Sequence, residues 1–146
     1  MVIRTSFEAV SDELFENERN FCSKINNIFA DSIRISHKDY SKILKLYQSK
    51  ISNFDELSIE ISNFIEETDQ EVVLIIDEVD KNSNNNIFIK FLALLRSKYL
   101  FSNEGLDITF KSVILAGVHD IKNLKLVLRD EGESRFYSPW NISADF

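Results

Sequence analysis

Asp77 and Glu78 are the residues of this chain best placed to do chemistry. They follow Val72-Val73-Leu74-Ile75-Ile76, five consecutive apolar residues, mostly β-branched, in the pattern of a strand buried on both faces of a parallel sheet. In open α/β sheets ligands bind outside the carboxyl ends of the strands, so a carboxylate pair at that point is positioned for work. An Asp there can order the waters around a Mg²⁺ ion, and a following Glu can polarise a water for attack on a phosphate. The plainer alternative is a buried strand that runs into an acidic turn.

A strand of this kind is the Walker B pattern, and the pattern needs a phosphate cradle. That cradle has the form G-x-x-x-x-G-K-[ST], because backbone N–H groups must approach the phosphates closely and a Lys must reach them. The chain has only Gly105, Gly117 and Gly132, and none is followed by Lys-Ser or Lys-Thr. The sequence therefore reads either as a piece of a larger ATPase or as a domain that uses an acidic strand end for something else.

Periodicity supplies the elements that would hold the pair. Val2 to Phe7 reads as a short strand. Leu14, Phe15, Phe21, Cys22, Ile25, Ile28 and Phe29 then recur at helical spacing behind a cap at Ser11 or Asp12. Ser36 with Asp39 opens an expected second helix carrying Tyr40, Ile43, Leu44 and Tyr47. Asn53 with Glu56 has the capping-box spacing of a third, bearing Phe54, Leu57, Ile61, Phe64 and Ile65. After the Val72 strand, residues 81–86 have turn chemistry, and a helix follows with Ile87, Phe88, Phe91, Leu92, Leu95 and Tyr99. Val113-Ile114-Leu115-Ala116 predicts a further buried strand. His119 to Leu128 reads as a helix, and residues 130–140 read as an irregular tail with the chain's only Pro and Trp. This alternation predicts a single α/β domain over residues 1–146 with a parallel three-stranded core and flanking helices.

Composition narrows the function classes. The chain has 146 residues and a net charge of −7, with fourteen acids against eight bases in residues 1–71. That excess argues against a broad nucleic-acid footprint on the first half. Twelve Phe predict a Phe-rich interior or apolar surface for a neighbour. Cys22 is the only cysteine, so no internal disulfide forms, and its helical setting predicts a small apolar core residue. No signal-like run leads the chain, and no segment approaches the roughly 18 apolar residues of a membrane span, so the expectation is a cytoplasmic protein with no membrane partner.

Four blocks occur in order: Val73-Leu74-Ile75-Ile76-Asp77-Glu78-Val79-Asp80-Lys81, Phe91 to Leu100, Ser112 to Lys125, and Ser138-Pro139-Trp140-Asn141-Ile142. In these blocks and their spacing, which cover about half the chain, the sequence resembles a bacterial family of AAA-like P-loop ATPases whose ATPase domain often precedes a PD-(D/E)XK nuclease-like segment. The resemblance implies a partial P-loop fold. Val2 to Phe7, Val72 to Ile76 and Val113 to Gly117 would be the family's second, third and fourth strands, paired contiguously as 4-3-2. The P-loop strand would lie upstream of Met1 and the fifth strand beyond Phe146. It further implies ATP and Mg²⁺ as ligands of the complete protein, with Asp77 for the metal, Asp77 and Glu78 at the nucleotide, and Glu78 as the base. His119 or Asp120 would be the sensor after the fourth strand, although either could instead cap the next helix. A chain without the P-loop is expected to bind neither ligand by itself and to be inactive alone.

Other residues have plainer alternatives. Asp80 is a second support for Mg²⁺ ordering or a turn residue. Arg96 and Lys98 are arginine-finger-like cations or ion-paired surface residues. Lys122, Lys125 and Arg129 share a helix face suited to phosphate, nucleic acid or solvent. Without strands 1 and 5 the Val113 strand becomes an open sheet edge, so self-association is expected. The competing function is a non-catalytic interaction module that binds itself or a partner by that edge and by the aromatic cluster around Trp140. A nuclease built on the acidic strand end is disfavoured, because residues 106–111 lack the acid-x-Lys spacing it needs.

Overall fold

A computed structural model describes residues 1–7, 12–36, 51–79, 85–117, 126–127 and 136–137. Three strands form its sheet, β1 (Val2–Ser6), β2 (Val73–Asp77) and β3 (Ser112–Leu115), lying side by side in that order. All pair parallel, with Arg4 opposite Ile75 and Ile75 opposite Ile114. The expected three-stranded parallel core is therefore present, with the Asp77 strand at its centre.

Right-handed crossovers that step in one direction across a sheet leave their connections on the same face. Burial follows that rule. Ile3, Thr5 and Phe7 are buried, as are Leu74 and Ile76 on β2. Val2, Arg4 and Ser6 are exposed, and Val73, Ile75 and Asp77 only half-buried. The expectation of a central strand buried on both faces is thus corrected: an apolar run reports that a strand is covered, not on how many sides. On β3, Ile114 is 48% exposed, so this strand is not fully buried either.

The covered face carries three helices. The first, α1 (Glu18–Ser36), follows a 3₁₀ turn at Asp12–Phe15. Its cap is Asn17, whose Oδ1 accepts the Asn20 N–H at 2.9 Å, rather than Ser11 or Asp12. Phe21, Cys22, Ile25, Phe29 and Ile33 form its buried face, and Ser32 Oγ donates to the Arg4 carbonyl at 3.0 Å on the outer side of β1. The second, α2 (Phe54–Thr68), starts where the capping box predicts: Asn53 Oδ1 accepts the Glu56 N–H at 2.8 Å, and Glu56 Oε2 accepts the Ser52 N–H at 2.6 Å. Glu18 Oε1 also accepts the Phe54 N–H at 3.0 Å, tying the starts of α1 and α2 together.

The third helix, α3 (Asn86–Asn103), takes in the last residue of the predicted turn run, is capped by Asn85 just before it, and ends in a Schellman motif. There Leu106 N–H donates to Phe101 O at 2.8 Å and Gly105 N–H to Ser102 O at 3.1 Å, with Gly105 at φ +72°. Phenylalanines from the end of β1, from α1 and from α3 meet beneath the sheet. Phe7 stands edge-on to Phe88 at 5.0 Å between ring centroids, and Phe91 does the same to Phe21 at 5.4 Å. Each such pair contributes about 0.5–1.5 kcal/mol beyond its buried area.

Two short strands, β4 (Leu126–Val127) and β5 (Phe136–Tyr137), pair antiparallel. This corrects the expected helix running to Leu128 and the irregular tail at Phe136 and Tyr137. The run Leu124-Lys125-Leu126-Val127-Leu128 has helical and alternating spacings at once, and at Leu126 and Val127 pairing with Tyr137 and Phe136 selects the extended one. The expected helix after Ser36 falls at residues 37–50, outside the described residues.

Candidate functional site at the carboxyl end of the central strand

Asp77 is the last residue of β2, and backbone bonds fix it from both sides. Phe7 N–H donates to Asp77 O at 3.3 Å, and Ala116 N–H donates to Ile76 O at 2.8 Å. Glu78 then adopts φ 57°, left-handed backbone that costs a non-glycine residue roughly 1–2 kcal/mol. The turn persists because its neighbours over-determine it. Val79 N–H donates to Ala116 O at 3.1 Å, and the Val79 side chain is fully buried. Glu78 is thereby held at the rim of the sheet, half-buried, between a strand end and an apolar anchor.

The Asp77 carboxylate lies on the sheet face away from the core helices. Arg4 is its same-face diagonal neighbour, and Arg4 Nη2 donates to Asp77 Oδ2 at 2.9 Å. Asp77 Oδ1 accepts the Glu78 N–H at 3.1 Å. The hydrogen bond from Arg4, helped by that N–H and by the guanidinium charge, holds the carboxyl below the usual Asp range despite a small opposing effect of burial. Asp77 is therefore ionised at neutral pH.

Among the described residues no group of three or more His, Cys, Asp or Glu side chains comes together to hold a metal. Asp77 and Glu78 do not make an all-protein cage. They do fit a Mg²⁺ ion that keeps most of its waters and takes its other ligands from phosphate oxygens, the usual habit of that ion. His119 and Asp120, the expected sensors, lie outside the described residues, as do Asp80, Lys122, Lys125, Arg129 and Trp140. The structure thus brings Asp77 and Glu78 together at one strand end and adds Arg4, which the sequence reading did not single out. Its signal was an Arg on a strand pairing in register with β2, visible only once that register is known.

No family model, curated protein or solved structure matches the chain. Its function therefore has to be argued from these side chains. No helix among the described residues is long and apolar enough to cross a membrane.

Away from the strand end, Lys98 is 2% exposed. Its Nζ donates to Ser62 Oγ at 2.6 Å, to Ser58 Oγ at 3.3 Å and to both Asp107 oxygens, at 3.0 and 2.8 Å. Lys98 is thus ion-paired but not on the surface, and it joins α2, α3 and the segment leading into β3. Burial acts to raise the Asp107 carboxyl, but hydrogen bonds from Lys98, Ser62 and the Ile108 N–H outweigh it and leave it below the usual range. Arg96 is half-buried, with its Nε lacking a hydrogen-bond partner among the described residues.

An open groove of about 520 Å³ lies at the opposite, amino end of the strands, lined by Glu66, Asp69, Tyr99 and the exposed Glu71–Lys111 pair among others. It is remote from Asp77 in the fold, so the acidic strand end and the groove are separate features. Cys22 is fully buried. Desolvation, with Glu18 and Glu56 nearby, pushes its thiol up to about 12, which fits a core residue and not a nucleophile.

Proposed function

We propose that this chain supplies the metal-ordering and water-activating carboxylates of an ATP-hydrolysing domain, with the phosphate cradle coming from outside the 146 residues. Asp77 orders the waters of a Mg²⁺ ion, and Glu78 polarises the water that attacks the γ-phosphate. The observation that carries the reading is the acid pair at the carboxyl end of the central strand of three parallel strands, with Asp77 ionised and Glu78 held in left-handed backbone. The bound metal would supply charge stabilisation at the phosphoryl oxygens. The residues of this chain orient it and take up a proton from water.

The reading predicts that the 146-residue chain alone shows no micromolar binding of MgATP in calorimetry. In a form that carries a G-x-x-x-x-G-K-[ST] segment, ATP should be bound and hydrolysed. Tight MgATP binding to the short chain would mean that its phosphate site is built from these residues, against the proposal.

A second reading is favoured by one observation. Among the described residues no strand pairs with the outer side of β3, and Ile114 on that strand is 48% exposed. Such an edge is a template for a strand of a second copy. Light scattering over a wide concentration range tests it: a mass that doubles with concentration supports self-association, and a monomer throughout removes it.

A further inference from the structure

Arg4 is ion-paired with Asp77 at the acidic strand end, and its placement is not incidental to the sheet. In the parallel register Arg4 lies opposite Ile75, two residues before Asp77 on the same face, so the long side chain reaches diagonally to the carboxylate. The Arg4 side chain is 73% exposed, while that of Asp77 is 32% exposed. Nothing buries Arg4 there for packing. With the Glu78 N–H on Oδ1 and the guanidinium on Oδ2, each Asp77 oxygen already has a protein donor. A carboxylate has lone pairs to spare for water, so the obstacle to a second cation is the charge of the first and not a lack of acceptor sites.

We infer that Arg4 gates Asp77: its guanidinium and a hydrated divalent cation compete for the carboxylate, and the cation is admitted as the Arg4 bridge opens. This rests on the proposed role of Asp77 as a metal-ordering group. Exposure makes the exchange feasible, because a solvent-exposed ion pair is weak and its partners separate readily. Once displaced, the guanidinium stays on the same sheet face beside the strand end, where an anionic phosphate oxygen arriving with the metal is its natural next partner. Arg4 is in these terms a positioning residue for the metal.

The test uses the whole 146-residue chain with Mn²⁺ as the probe at millimolar concentration, where a carboxylate that binds only weakly without its phosphate ligands is still occupied, and it is read by paramagnetic broadening of the Phe7, Glu78 and Val79 amide signals. Arg4→Gln is expected to shift the midpoint of broadening to roughly two- to fivefold lower Mn²⁺, the span set by the weakness of an exposed pair. Asp77→Asn should abolish the localised broadening. Arg4→Lys, which keeps the charge without the planar fork, should remain near the wild-type midpoint. A purely structural role for Arg4 predicts no gain in metal affinity. If Arg4→Gln leaves the midpoint unchanged or raises it while Asp77→Asn abolishes the effect, the gate is overturned and the metal role of Asp77 survives. If Asp77→Asn leaves the broadening intact, or the wild type shows none at these amides, the metal role falls and the gate falls with it.

Discussion

Lys98 Nζ and Asp107 Oδ2 lie 2.8 Å apart, the Lys side chain almost wholly removed from solvent and the Asp at the rim. Removing Asp107 would strand a buried ammonium with only the Ser62 and Ser58 hydroxyls to satisfy it. Asp107→Ala is therefore expected to destabilise the fold by about 3 kcal/mol, measured by urea unfolding. Replacing both partners by apolar residues, Lys98→Met with Asp107→Leu, should recover much of the loss.

The same pair sets a pH dependence. The folded-state pKa of Asp107 is depressed, so its contribution is fully present above the unfolded value of about 3.9 and is lost as pH falls through the folded value. Stability should thus decline as pH falls below about 4 toward the lower folded-state value, and the decline should be shallower in Asp107→Asn. An equal decline in that variant would assign the acid sensitivity to other carboxylates.

How far the sequence reveals this structure depends on how local each cause is. The Asn53–Glu56 capping box and the Asn85 cap lie within three or four residues of the N–H groups they satisfy, and both are legible. The start of α1 is less so, because Ser11, Asp12 and Asn17 are all competent caps and only packing decides among them. One-sided cover of β2 depends on the direction in which the chain winds across the sheet, which an apolar run does not encode. Arg4 beside Asp77 and Lys98 beside Ser62 join residues 73 and 36 positions apart, so neither follows from spacing. At the strand end Asp77 and Glu78 were legible because a strand followed by acids is a local pattern.

The caps give a direct check on the local reading. Asn53→Ala should cost about 1 kcal/mol by loss of the bond to the Glu56 N–H. Gly105→Ala should cost a similar amount for a different reason. A methyl group at Gly105 meets no atom within 4 Å, so the penalty is that of left-handed backbone alone. Thermal unfolding of both variants measures these costs, and a neutral Gly105→Ala would contradict the Schellman end of α3.

Cys22 provides a test of core integrity. Its thiol, pushed up to about 12 and fully buried, should resist alkylation by iodoacetamide at pH 8 in the native protein and react only as the chain unfolds. The labelling rate should rise with urea along the same curve as unfolding. Rapid native labelling would show that α1 opens locally away from the Phe7 and Phe91 rings.

The role given to the acidic strand end turns on Glu78. The most direct measurement is steady-state ATP hydrolysis, with ATP binding measured in parallel, for wild type and Glu78→Gln in a form that carries the phosphate cradle. A positioned general base contributes about 10²–10⁴-fold to rate, so Glu78→Gln is predicted to lower turnover by at least about 100-fold while ATP binding is retained. Unchanged turnover would contradict the account.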